Sequence, residues 1–134
     1  MPENNKTLLR DFLEECLNKG NYDAVERFVS PRFVDHLFPG YDGIDGVKRA
    51  FKEFRAAFPD LHDTLEDVIA EDDKVVVRYR MRGTHRGEFM GMPATNRVVT
   101  WTGINIARVA DGKFVERWGA FDYRGLMEQL GGTK

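Results

Sequence analysis

The spacing of apolar residues changes character once along this chain. Up to about residue 58 it is helical. Leu8, Leu9, Phe12, Leu13, Cys16 and Leu17 form one stripe and predict a first helix over about 6–19, ended by Gly20. Asn21 can cap a short second helix with Tyr22, Val25, Phe28 and Val29 facing inward, and Ser30-Pro31 stops it. Phe33 to Leu37 reads as a short strand, and the glycine- and aspartate-rich stretch 39–46 as a loop. Val47, Ala50, Phe51, Phe54 and Phe58 give the buried face of a third helix over about 45–58, closed by Pro59-Asp60.

Beyond that point apolar residues alternate. Strands are predicted over 62–71, 74–84, 97–109 and 113–121, with Asp72-Asp73 and Asp111-Gly112 where tight hairpin turns belong. A long Gly-rich connection, 83–96, joins the middle two. A short helix over 123–130 is stopped by Gly131-Gly132. Helices that lead a run of hairpin strands predict an α+β domain, not βαβ units. A long, bent antiparallel sheet can bury its concave side only against those helices. Such a half-cone is expected to leave an interior apolar pocket.

The 134 residues suit a single domain with one core, and no repeat or linker interrupts them. Ten Phe, four Tyr and two Trp can fill a core or line a cavity for a flat ligand. A net charge of -2 with no basic block argues against nucleic acid and anionic membrane as partners. Arg78, Arg80, Arg82 and Arg86 cluster, but acidic residues balance them, and a solvated sheet face is the first reading. No signal architecture and no apolar run of about 20 residues is present. The one cysteine, Cys16, permits no internal disulfide, which fits a reducing cytoplasm. The three histidines lack metal-ligand spacing, so no metal is expected.

Three stretches together carry a family likeness: FPDLHDTLEDVIAEDDKVVVRYRMRGTHRGEFMGMPATNR, ARVADGKFVERWGAFDYRGLMEQLG, and FVDH ahead of GYDGIDGVKRAF. With them the chain resembles the SnoaL-like polyketide cyclases of the NTF2-like superfamily, over nearly its whole length. The resemblance implies a cone-shaped barrel, a homodimer and an apolar cavity for a small apolar molecule such as a polyketide. It implies ring closure by intramolecular aldol condensation on a polyketide ester, with no metal or organic cofactor and an acidic residue as acid/base. By position in GAFDYRG that residue is Asp122. At a position where such cyclases carry a histidine, this chain has Asn105. Asn cannot exchange protons near neutral pH, although its amide can donate to an enolate oxygen.

Each candidate has a plainer role beside the chemical one. Asp122 precedes the last helix and can cap it, or it can serve as acid/base if burial beside Trp118, Phe121 and Tyr123 raises its pKa; both can hold. His85, in GTHRG, can donate to substrate or simply hold the Gly-rich loop. Of Asp35 and His36 only one can face the pocket, because strand residues alternate. Trp118 shares its parity with Asp122, and Trp101 with Asn105. Either Trp can stack on substrate or fill core. Phe121 is a further wall residue. Three classes of function follow: an acid/base enzyme on an apolar carbonyl compound, a non-catalytic ligand-binding module, and a purely dimerising domain. Isomerases, dehydratases and epoxide hydrolases use related barrels, so the fold alone does not choose among reactions.

Overall fold

The computed structural model describes residues 2–131. Helix α1 (Pro2–Phe12) runs directly into one π-helical stretch, Leu13–Asn18. A 3₁₀ turn, Tyr22–Ala24, leads into the single-turn α2 (Val25–Phe28). Strand β1 (Val29–Asp35) follows without a break, then α3 (Gly43–Ala57). Strands β2 (His62–Glu71), β3 (Lys74–Thr84), β4 (Val98–Ala110) and β5 (Lys113–Phe121) come next, and α4 (Tyr123–Gln129) closes the fold. No described helix is long and apolar enough to cross a membrane.

The predicted α+β order holds, with two differences. Strand β1 begins at Val29, four residues before the predicted start. Val29 and Phe33 are both buried, so the chain gains more by extending along the sheet than by prolonging a helix that Pro31 would break. The sheet is also not wholly antiparallel. Its order is β1-β5-β4-β3-β2; the four hairpin-linked strands are antiparallel, but β1 adds to β5 in parallel. The long connection through α3 makes that pairing possible.

Two irregularities decide which side chains point inward. On β5, Phe114 pairs with Val109 but Glu116 pairs with Arg108, leaving Val115 as an extra residue. Inward positions are therefore Phe114, then Arg117, Gly119 and Phe121. On β2, Leu65 pairs with Tyr79 and Asp67 with Arg78, so Glu66 is extra, and Asp63, Leu65, Val68 and Ala70 face inward. Such bulges also sharpen the bend of a sheet. The helices cover the concave side. One apolar cluster joins Leu9, Phe12 and Cys16 to Val75, Val77 and Phe114. A second joins Leu17 and Phe58 to Trp101 and Leu126.

Candidate active site

The concave face of the sheet encloses a chamber of about 110 Å³, walled mainly by Leu, Val and Phe side chains from α1, α3 and the strands. Into this wall each strand sends one hydrogen-bonding side chain, Trp101 apart: Asp63 from β2, Tyr79 from β3, Asn105 from β4, Arg117 from β5 and Asp35 from β1. The register sets them on a diagonal. Asp63 stands opposite Met81, two residues from Tyr79; Tyr79 stands opposite Gly103, two residues from Asn105; Asn105 stands opposite Gly119, two residues from Arg117; and Arg117 pairs with Asp35. A continuous polar track thus crosses an otherwise apolar hollow.

The two carboxyl groups on this track differ. Asp35 is fully engaged. Arg117 Nε donates to its Oδ1 at 3.1 Å and Nη2 to its Oδ2 at 2.6 Å, a bidentate pair. The backbone N–H groups of Leu37 and Phe38 also donate to Oδ1, at 2.9 and 3.1 Å. Asp35 therefore fastens both the guanidinium and the loop that carries Phe38, whose ring lies 5.2 Å from the Arg117 carbon.

Asp63, only 4% exposed, is the opposite case. Its Oδ1 is buried and has no hydrogen-bond partner among the described residues. Desolvation alone pushes its pKa up to about 7, because the charged form has lost water and gained nothing in return. Its backbone, in contrast, is held firmly. Asp63 N–H donates to Asn18 Oδ1 at 2.8 Å, and Asn18 Nδ2 donates back to the Asp63 carbonyl at 3.1 Å. Asn18 ends the π-helical stretch. Arg55 ties that turn to the start of β2 by donating to the carbonyls of Leu17, Asn18 and Leu61. The π-helical stretch thus has a use, as such irregularities at sites commonly do: it aims Asn18 at β2.

Tyr79 is buried, and desolvation raises its pKa to about 12, with the Arg117 charge opposing and the Asp63 charge adding. It remains a neutral hydroxyl donor through the physiological range. Asn105 gives its Oδ1 to Arg117 Nη1 at 3.3 Å. Beyond the chamber lies a vestibule of about 440 Å³, which shares Phe38, Ala50, Phe54 and Phe121 with it and adds Tyr41, Glu53, Glu88 and Met90 at the rim. Phe38 touches both Phe54 and Phe121, at ring separations of 6.1 and 6.0 Å, and the three rings stand between the two spaces. Together the spaces reach the size of ordinary small-molecule sites, about 300–1,000 Å³.

Four of the residues expected at the site line the chamber: Asn105, Trp101, Asp35 and Phe121. Four do not. Asp122 is exposed and caps α4, accepting from the Gly125 N–H at 2.9 Å; the strand has ended, and the carboxylate faces solvent. Trp118 lies on the outer face, where it stacks on His36 at 5.1 Å, while His36 pairs with Glu116 at 2.8 Å. The parity that joined Trp118 to Asp122 was sound, but the extra residue at Val115 turns that whole set outward. His36 is outside because its neighbour Asp35 is inside. His85 is fully buried behind Phe58 and holds the Gly-rich loop: its Nδ1 accepts from Thr95 N–H at 3.2 Å, and burial lowers its pKa.

Asp63, Tyr79 and Arg117 went unrecognised in the sequence. For Asp63 a signal exists: Leu61, Asp63 and Leu65 share one parity, so an acidic residue interrupts an apolar row. For Arg117 none does, because the bulge that turns it inward has no mark in the sequence.

Comparison with known proteins supplies the rest. The family model for SnoaL-like polyketide cyclases matches residues 7–130. Aklanonic acid methyl ester cyclase DnrD of Streptomyces peucetius is 31% identical over 124 residues, covering 87% of this chain and 84% of that one. Nogalonic acid methyl ester cyclase of Streptomyces nogalater is 30% identical, covering 87% and 90%. The solved structure of TsrD from Streptomyces laurentii superposes with a TM-score of 0.91 at 30% identity, over 98% of this chain and 97% of its own. With a family match along almost its whole length and an NTF2-like cone around an apolar chamber, the chain belongs to the SnoaL-like polyketide cyclase family.

Proposed function

We propose that the protein closes a ring in a polyketide ester by intramolecular aldol chemistry, with Asp63 as the acid/base. The observation that carries this reading is an unpartnered carboxyl in an apolar chamber, with a pKa near 7. A general base works best when its pKa lies near the working pH. Asp63 as carboxylate removes a proton alpha to a carbonyl. The enolate carbon attacks a second carbonyl of the same molecule, the C–C bond forms, and the new alkoxide takes the proton back from Asp63. Nothing is oxidised or reduced, and the proton taken from carbon is the one returned to oxygen. The Asn105 amide and the Tyr79 hydroxyl are the donors placed to hold the enolate oxygen. Asp122, with its carboxylate in solvent, has only the helix cap as its role in this scheme.

Electrostatics support a neutral substrate. Asp35 cancels the Arg117 charge, and the rim adds Glu53, which pairs with Arg49, and Glu88, with no cation among the described lining residues of the vestibule. A free carboxylate would meet no uncompensated positive charge among the described lining residues, whereas an ester does not need one. The relatives named above are cyclases of methyl esters. The test is turnover of nogalonic acid methyl ester by the wild type and Asp63→Asn. Ring closure that drops about 100-fold or more in the variant supports the scheme; closure at the wild-type rate removes Asp63 from it.

The same reading extends to a homodimer in the cytoplasm. The outer sheet face exposes Ile69 at 61% and Ile104 at 49% among the paired charges Arg78–Asp67 and Arg80–Glu66, and these apolar side chains are what a second copy would cover. The lone thiol, Cys16, is buried with its pKa raised to about 11 by desolvation, and suits a reducing compartment.

A further inference from the structure

We propose that Arg117, braced by Asp35, is a positioning residue that fixes which way the Asn105 amide points, and that Gly119 provides the gap this arrangement needs. The proposal rests on the reading of the chamber as an acid/base site, and it gives that site a built donor where the amide alone could rotate.

Arginine has donors and no acceptor, so the atom of Asn105 that faces Arg117 Nη1 at 3.3 Å must be the carbonyl oxygen. The amide NH₂ is thereby turned away from Arg117. It has no hydrogen-bond partner among the described residues, nor is it among the sealed, unsatisfied atoms, so it is open to the chamber that Asn105 lines. Arg117 itself is anchored by two bonds to a carboxylate that also accepts two backbone N–H groups. The guanidinium therefore has little freedom to follow a rotating amide.

Gly119 lies directly opposite Asn105 in the β4–β5 register. A Cβ at that position would overlap Asn105 Oδ1. Every residue but glycine there drives the amide oxygen off the line to Arg117. Four positions on three strands, 35, 105, 117 and 119, thus act as one device, and its output is a neutral N–H donor facing the chamber.

The test separates this device from the catalytic scheme by using no turnover. In ¹H–¹⁵N spectra the Asn105 side-chain pair is identified by its loss in Asn105→Ala. It is expected to shift in Gly119→Ala and in the charge-neutral double variant Asp35→Asn/Arg117→Met. Binding of 2-naphthol, whose phenolic oxygen stands in for an enolate oxygen, is followed by fluorescence. Gly119→Ala and Asn105→Ala are each expected to weaken it about tenfold, and the two together no more than either alone. An Asn105 signal that stays put in both variants overturns the proposal, as does a Gly119→Ala loss of equal size in the Asn105→Ala background. Failure of Asp63→Asn to lower turnover would count against the catalytic scheme and leave these readouts unmoved.

Discussion

At the scale of single residues, two carboxylates on one polar track have been given opposite tasks by their partners. Asp35 accepts four hydrogen bonds, and Asp63 accepts none at Oδ1. This costs stability in a way that has a definite sign. The Asp63 pKa is raised from 3.8 to about 7 in the folded protein, so its favourable contribution is whole below about pH 4 and is lost as pH rises through 7. The difference amounts to about 4 kcal/mol on full ionisation. Asp63→Asn is therefore expected to raise the melting temperature at pH 8, to leave it nearly unchanged at pH 4, and to abolish most turnover. Thermal melts at the two pH values check the first two outcomes. A site residue whose removal stabilises the fold is what a stability–activity trade-off looks like. His85 offers a contrast. Its Nδ1 holds Thr95 at the end of the Gly-rich loop, so His85→Ala is expected to lower the melting temperature while leaving the pH dependence of turnover in place.

At the scale of elements, the sheet positions this chemistry through gaps as much as through side chains. A Cβ on Gly103 would overlap the Tyr79 hydroxyl and come within 2.8 Å of the Ala120 carbonyl, which is backbone and cannot swing aside. Gly103→Ala is expected to destabilise the protein by about 1–3 kcal/mol, as urea unfolding would show. Much of this layer was legible beforehand. Alternation located β2, β3 and β5 at their observed limits, and the helical stripe through Leu9, Phe12, Cys16 and Leu17 picked out the packed face. The inward set on β5 was not legible. Phe114 and Arg117 are three apart, which no regular strand allows on one face, and only the extra Val115 reconciles them. For the same reason Trp118, attractive as a stacking surface, turned out to pair with His36 on the far side. Asp122 takes the cap role that its place before α4 allowed, and that cap geometry, which a family motif does not reveal, takes its carboxylate away from the chamber.

For the whole molecule, the cone divides into an inner face that holds the site and an outer face that carries apolar side chains into solvent. The cone was predictable from the family resemblance; the order of helices and hairpins by itself pointed only to an α+β domain with one sheet face covered. What the outer face does is a question of assembly. Ile104→Glu places a charge at an exposed apolar position of the outer face, on the opposite side of β4 from the chamber. It is expected to convert a dimer to a monomer in light scattering while keeping the chamber's affinity for 2-naphthol. A monomeric wild type would instead leave these side chains to solvent.

The proposed chemistry requires a carboxyl that keeps its proton up to neutrality, and Asp63, desolvated and with its Oδ1 unpartnered among the described residues, meets that need. Titration of ¹³C-labelled aspartate by NMR, with the Asp63 signal identified by its absence in Asp63→Asn, measures that directly. A midpoint near pH 7 is expected; a midpoint near 4 would contradict the proposed chemistry, because Asp63 would then be an ordinary ionised carboxylate and the chamber would lack its acid/base.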